Sequence, residues 1–382
     1  MKRIGNLFET LISDKNLGSA IDEVNKTHHW KAGHKPNAST AWVEETKPIR
    51  IKELRRIIVD GFIPKPPRII ERYDASARKT RTISEPKQWP DQYVHHALIQ
   101  VLQPVMMRGM DMYCCGSIKG RGAHYCKRAI EGWFRKDRKG TRYELCADIY
   151  HFYDSLDPSV VMDRMNRLIK DDTILDLIQR VIKDGVKIGA FPSQWFANTV
   201  LQPLDVLIRQ SGLCRHYTRY MDNLTIFGSN KRNLRKLKNL IDEWLQDHGL
   251  RLKGDWQIFE TGSDKNPKGR LPDAVGYRYG RDYTLPRKHN LLRVKRAIGK
   301  YRKRLKEKKK ISVSMAASIL SRLGQLTHCN NVRIFKKLFR GERLMRNLKD
   351  LIRTREEFTW SMYLEQRRAL RQSRQREALI AT

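Results

Sequence analysis

Two short acidic stretches stand out in a strongly basic chain. The first runs from Asp148 through Ile149, Tyr150, His151, Phe152 and Tyr153 to Asp157, with Asp148 ending an expected strand over 144–150. The second is Arg219-Tyr220-Met221-Asp222-Asn223, inside an expected hairpin over 217–227. Asp222 and Asn223 are expected at its two-residue tip, because both residue types tolerate positive φ. A hairpin tip and a neighbouring strand end can bring Asp148 and Asp222 close together. Two such carboxylates would hold a pair of divalent ions roughly 3.5–4 Å apart. Mg²⁺ suits them, since it takes oxygen ligands and keeps positions open for substrate phosphates; Mn²⁺ is the alternative. The chemistry is phosphoryl transfer, with a hydroxyl nucleophile activated and a leaving pyrophosphate stabilised. Either aspartate alone would read as a turn former.

The elements that must carry these residues follow from pattern. The chain has 382 residues, with 77 Lys and Arg against 41 Asp and Glu, a net charge of +36. Hydrophobic residues make up 40%, enough for a buried core, which excludes wholesale disorder. A surplus of that size calls for a polyanion, nucleic acid first. More than half of it lies in residues 286–382, where 28 Lys or Arg face 7 acids. Helices are expected there over 293–310, 314–326 and 333–351, offering a surface to a phosphate backbone, with Arg302, Lys303 and Arg304 as candidate contacts. Upstream, helices are expected over 51–61, 93–107, 158–182, 194–210 and 233–245. Strands are expected over 68–73, 80–84, 250–259 and 274–283. Adjacent strands outnumber simple alternation with helices, so the fold class is α+β with an antiparallel sheet. No apolar run approaches the roughly 20 residues that span a bilayer, and Met1 to Asn6 has no apolar signal core. A cytoplasmic protein with free cysteines and no membrane partner is expected.

Taken in order, these stretches resemble the motifs of reverse transcriptases, of the kind found in bacterial defence systems and diversity-generating retroelements. Lys79-Thr80-Arg81-Thr82-Ile83-Ser84-Glu85-Pro86 resembles the fingers hairpin whose basic residues meet the incoming nucleotide. Tyr113 to His124 resembles a Gly- and basic-rich segment of bacterial members. Asp148 to Asp157 resembles motif A, Gly189-Ala190-Phe191-Pro192-Ser193-Gln194 motif B, Tyr220 to Asn223 motif C, and Leu250 to Gly254 motif D. Ala274 to Tyr279 resembles the primer grip. The resemblance implies a right-hand polymerase: a basic helical extension (1–67), fingers (68–142), an antiparallel palm with helices (143–285) and a basic helical thumb (286–382). It implies Asp148, Asp222 and Asn223 as catalytic residues, with Asp148, Ile149 and Asp222 holding two Mg²⁺ ions. Lys79, Arg81, Tyr153, Gly189, Gln194 and Lys253 are the implied nucleotide contacts, and Ser193, Gly276 and Tyr277 join the basic helices as nucleic-acid contacts. Tyr153 would exclude a 2′-hydroxyl, Arg81 would grip phosphate oxygens, and Lys253 would protonate departing pyrophosphate.

Two positions depart from the family pattern. Motif C ordinarily ends in two aspartates, and Asn223 replaces the second. Motif B ordinarily has Gln before its Gly, and Ile188 stands there. The implied activity is DNA synthesis from dNTPs on a non-coding RNA template, in antiviral defence or in a diversity-generating retroelement. An accessory protein or second subunit is an expected partner. The alternatives are an inactive RNA-binding scaffold with a polymerase fold, favoured by Asn223, and an RNA polymerase or terminal transferase, opposed by Tyr153.

Overall fold

Pro64, Pro66 and Pro67 cannot continue the helix Lys47–Val59, and the chain leaves it extended. Strands β1 (Arg68–Asp74) and β2 (Lys79–Glu85) then pair as an antiparallel hairpin. The helix Tyr93–Met107 follows, over the span that its apolar pattern predicts. These elements come from a computed structural model that describes residues 2–29, 38–74, 79–262, 269–330, 332–339 and 343–354. The chain divides into two compact units, residues 1–129 with 137–261 and residues 130–136 with 262–382.

The first unit is built on a four-stranded antiparallel sheet of β3 (Tyr143–Asp148), β4 (His216–Tyr220), β5 (Asn223–Gly228) and β6 (Gln257–Glu260), in the order β4-β5-β3-β6. In β5 only Asn223 is exposed, as expected of a central strand covered on both faces. Leu145, Leu224 and Ile226 of the sheet share one core with Leu98 and Leu102 of the helix Tyr93–Met107. Leu11, Leu17 and Ile21 belong to the same core, and Tyr93 Oη donates to Asn25 Oδ1 at 2.8 Å. Residues expected as an extension therefore pack as part of this unit. Each fully buried Leu or Ile contributes about 1.5–3 kcal/mol, so the N-terminal helices are integral to it.

The second unit holds a three-stranded sheet of β7 (Asp273–Ala274), β8 (Tyr277–Tyr279) and β9 (Thr284–Pro286). Its helices are Lys288–Lys306, Val313–Leu326, Val332–Phe339 and Leu344–Thr354. Val294, Ile298, Tyr301 and Leu305 form one helix stripe, packed with Ile319, Leu323 and Leu348. Residues 262–285, expected with the palm, fall in this unit. Their strands pair only with one another, and Gln325 Nε2 donates to the Gly276 carbonyl at 3.1 Å.

Several expected elements are divided. The helix over 158–182 becomes Pro158–Asn166 and Asp172–Val181. Asp171 caps the second piece and also accepts from the backbones of Leu7 and Phe8, each at 3.0 Å, so a tertiary demand breaks the helix. Pro203 starts a new helix, Gln202–Gln210, after Phe191–Val200. The expected strand over 250–259 forms only from Gln257 onward, Leu252 making a single bridge to Ile149. The stretch 274–283 turns at Val275 and Gly276, both at positive φ, and holds only the end of β7 and the short β8.

Candidate active site

β3 pairs with β5 in the register Asp148↔Asn223, and β4 with β5 in the register Tyr220↔Asn223. The hairpin tip is therefore Met221 and Asp222, one residue earlier than expected. Met221 carries the positive φ, 57°, while Asn223 opens β5. Ile149 donates its N–H to the Asp222 carbonyl at 3.2 Å, tying the end of β3 to the tip. The Asp148 carboxyl comes within hydrogen-bonding reach of Asp222. Burial, then the neighbouring Asp222 carboxylate, push Asp148 up to about 7, with Lys253 opposing the rise. Asp148 Oδ1 is buried with no hydrogen-bond partner among the described residues. Asn223 Nδ2 donates to Asp222 Oδ1 at 3.1 Å.

This donor set fits a divalent cation. An orphaned carboxylate oxygen beside a second carboxylate is relieved by positive charge, and hard oxygen donors suit Mg²⁺. Among the described residues no group of three or more His, Cys, Asp or Glu side chains gathers as a metal cage. One or two carboxylates with remaining positions open is the usual arrangement when substrate phosphates complete a Mg²⁺ shell. The Ile149 carbonyl, expected with this set, lies outside the ladder in which Tyr150 N–H bonds to Arg251 O and Lys253 N–H to Asp148 O.

Tyr153 is half-buried on the short helix Phe152–Ser155. Burial raises its phenol, the Asp222 carboxylate adds to this, and Arg219 and Arg81 act against it. Asp222 and Arg81 of β2 therefore each lie within electrostatic range of Tyr153. Lys79 begins β2, and its side chain is outside the described residues. Lys253 pairs with Asp255, and its charge also acts on Asp148. Gly189 has φ +114°, and a Cβ there would stand 2.5 Å from the Ser84 carbonyl oxygen. Its glycine requirement is thus a close approach to β2, a demand from the protein's own backbone. Gln194 is exposed on the first turn of the helix Phe191–Val200, but Ser193 is buried. Ala190, and not Ser193, is the N-cap.

Other expected contacts have partners within the protein. Tyr277 is buried, its hydroxyl 3.4 Å from the Gln325 carbonyl, and Gly276 packs against Gln325. Arg302 Nη2 donates to the Leu338 carbonyl at 2.5 Å, and Arg304 donates twice to the Lys310 carbonyl. Lys303 and Arg304 of that run are both exposed, Lys303 standing 3.7 Å from Glu307. In its place, Arg293, Arg296, Lys300 and Arg322 line one groove between the helices Lys288–Lys306 and Val313–Leu326, beside Ser314 and Ser318. The spacing i, i+3, i+7 of the first three is readable in the sequence, but overall charge density does not single them out.

One group of residues was assigned no role from sequence. Arg219 is 0% exposed and binds Asp205 in a forked pair, Nε to Oδ1 at 2.8 Å and Nη2 to Oδ2 at 2.7 Å. Its Nη1 donates to the Met221 carbonyl at 3.1 Å and to Asn198 Oδ1 at 2.9 Å. Asn198 Nδ2 in turn donates to the Gly116 carbonyl at 2.9 Å. A Cβ on Gly116 would lie 2.7 Å from the Met221 nitrogen. Arg219 and its partners therefore hold the strained turn that presents Asp222. The signal was an arginine inside an expected hairpin strand, Tyr217-Thr218-Arg219-Tyr220, which burial obliges to find an acidic partner.

An antiparallel sheet bearing two paired aspartates at adjoining strand ends, with helices packed over it, is the α+β arrangement of a right-hand polymerase. The chain belongs to the reverse transcriptase (RNA-dependent DNA polymerase) family, which matches residues 63–255, just over half its length. That match takes in Asp148, Tyr153, Gly189, Asp222, Asn223 and Lys253. Among curated proteins, the uncharacterized mitochondrial protein ymf11 of Marchantia polymorpha is 29% identical over 92 residues, 23% of this chain and 12% of that protein. Among solved structures, telomerase from Candida albicans in complex with a fragment of telomeric RNA has a TM-score of 0.44 at 13% identity, over 78% of this chain and 60% of that one. Apo telomerase from Candida tropicalis, truncated from the C-terminal domain, has a TM-score of 0.43 at 14% identity, over 58% of this chain and 54% of that one. The chain thus spans a small part of the curated relative and just over half of the telomerase chains. Among the described residues no helix is long and apolar enough to cross a membrane.

Proposed function

We propose that the protein is an RNA-directed DNA polymerase that extends a primer hydroxyl with dNTPs. The observation that carries this reading is the convergence of Asp148 and Asp222 at the joined ends of β3 and the β4–β5 hairpin. Asp148, Asp222 and the Ile149 carbonyl are the groups that would hold divalent cations, with Asn223 able to offer an amide oxygen. Such cations, when bound, would supply charge neutralisation at the attacking hydroxyl and at the leaving pyrophosphate. Arg81 is suited to bind the triphosphate through its planar fork, and Tyr153 to bar a 2′-hydroxyl. Lys253, kept protonated by Asp255, can hold a proton for the departing pyrophosphate. Residues 68–142, 143–285 and 286–382 correspond in this reading to fingers, palm and thumb. The template in this reading is a bacterial non-coding RNA, and the setting an antiviral defence system or a diversity-generating retroelement. The Ile188-Gly189 variant of motif B supports the latter.

A second reading, an RNA-binding scaffold that does not copy, rests on Asn223, whose amide occupies Asp222 Oδ1. One assay separates the two: dNTP incorporation on a primed RNA with Mg²⁺ and with Mn²⁺. Wild type should incorporate dNTPs, and Asp148→Ala should lose about 10³-fold, the loss expected for several kcal/mol of charge stabilisation. Tyr153→Ala should gain rNTP use in the same assay. No wild-type incorporation with either metal would establish the scaffold.

A further inference from the structure

Away from the aspartate pair, the first unit contains a cavity of about 330 Å³, within the roughly 300–1,000 Å³ of small-molecule sites. Its apolar wall is stiff, being formed by Pro64, Pro67, Pro86, Val181, Ile182 and Pro192. Two polar side chains line it with hydrogen-bonding capacity unmet. His95 is 4% exposed, and neither ring nitrogen has a partner among the described residues. Asp91 is 1% exposed; its Oδ2 accepts from the Lys65 N–H at 2.9 Å, but its Oδ1 has no partner. Folded proteins seldom leave such groups unpaired. Burial holds the His95 imidazole down at about 4, so the ring is neutral and offers one donor and one acceptor. Four cations, Lys65, Arg180, Lys183 and Lys187, also line the cavity, all but Arg180 exposed, with one exposed carboxylate, Asp184, among them.

That combination describes a ligand with three parts. Stiff apolar walls accept the faces of a planar ring. A buried carboxylate oxygen and a neutral imidazole meet a ring edge bearing N–H groups and ring nitrogens. Exposed cations meet phosphate. Single-stranded RNA is recognised in this way, by bases splayed into pockets and hydrogen-bonded on their edges. We propose that the cavity binds one nucleotide, its base against Asp91 and His95 and its phosphate at Lys183 and Lys187. The nucleotide comes either from the RNA strand ahead of the copied position or from the free pool. Location favours the strand. Ser84 lines the cavity three residues beyond Arg81, about 10 Å along β2. Ala190 and Ser193 line it just after Gly189, which packs on Ser84. The cavity therefore adjoins the two segments that frame the candidate nucleotide site. The strand source rests on the polymerase reading; the pocket chemistry does not.

The test places 2-aminopurine at successive unpaired positions of an RNA template annealed to a DNA primer, and reads its emission on adding the full-length protein. Equilibrium dialysis with GMP and AMP runs beside it, as does primer extension on the same template. Enhancement at one template position, lost in Asp91→Asn/His95→Gln and cut at least roughly tenfold in affinity in Lys183→Ala/Lys187→Ala, assigns the pocket to the strand. Saturable GMP or AMP binding with the same sensitivity assigns it to the free pool. Neither signal, or signals unchanged in both variants, overturns the proposal. The exposed-lysine variant carries the test if the buried pair does not fold. Position-specific emission without primer extension would sink the polymerase reading and leave the pocket standing.

Discussion

Asn223 keeps the geometry of its position while removing a charge. It pairs across the sheet with Asp148, on the same face, and its amide nitrogen rests on Asp222 Oδ1. An aspartate there would add a third carboxylate to a pair that already raises Asp148. Without a cation that substitution should be unfavourable; with one it should strengthen the hold on it. In Asn223→Asp the half-saturating Mg²⁺ concentration for dNTP incorporation should fall by roughly three- to tenfold, following ligand charge. Thermal stability in a chelator should fall as well. A metal titration that leaves the midpoint unmoved would mean that residue 223 faces away from the cations. His95 makes a separate residue-scale prediction. Its folded pKa, about 4, lies below the ordinary 6.5, through burial first and His96 second. The unfolded chain therefore takes up the proton first, so the contribution is present above pH 6.5 and is lost as pH falls toward 4. Between pH 7 and pH 5 wild type should lose about 2 kcal/mol more than His95→Gln, read from urea midpoints. Parallel losses would show that the imidazole reaches solvent.

At the scale of elements, the sequence pattern located most helices and hairpins but misplaced the turn that matters. Asp222 and Asn223 look like the tip because their side chains favour turns, yet the register puts the positive φ on Met221. A methionine accepts that strain because Arg219, Asn198 and Gly116 hold its backbone, partners 23 to 105 residues away from Met221 in the case of Asn198 and Gly116. Local propensity carries no record of such partners. The same reason hides the break at Asp171, which answers to Leu7 and Phe8, and the shortening of β6, whose early residues bridge to motif A. The aspartate pair itself was legible, because two acids in a basic chain, one at a strand end and one in a hairpin, have few reasons to recur in that order. The brace can be tested apart from the fold. Arg219→Met strands Asp205 in the core and should cost about 3–5 kcal/mol. Arg219→Met with Asp205→Leu removes both charges and should recover most of that stability. The Met221 carbonyl still lacks its donor in the double variant, so dNTP incorporation should stay at least roughly tenfold low, with the loss in kcat. Full activity in a stable double variant would reduce Arg219 to a packing residue.

For the whole molecule, a net charge of +36 suits a nucleic-acid partner but does not pick out the residues that would meet it. The run Arg302-Lys303-Arg304 is the densest-looking candidate, yet Arg302 and Arg304 are engaged with the Leu338 and Lys310 carbonyls. Both guanidinium groups are hydrogen-bonded within the second unit, while Arg304 stays exposed. Arg293, Arg296 and Lys300 recur on one side of the same helix, and Arg322 and three serines line with them a groove of about 460 Å³. A phosphate backbone meeting that groove would release about one counterion for each cation engaged. Replacing Arg293, Arg296 and Lys300 with Gln should therefore flatten the slope of log Kd against log salt by about 2–3. The same treatment of Arg302, Lys303 and Arg304 should change the slope by no more than about 1 while lowering the melting temperature, because it removes backbone hydrogen bonds. Filter binding of a primed RNA from 50 to 300 mM salt, with thermal melts alongside, measures both. Equal slope changes from the two triplets would show that phosphate is gathered by charge density alone, and the groove would have no claim to be the contact surface.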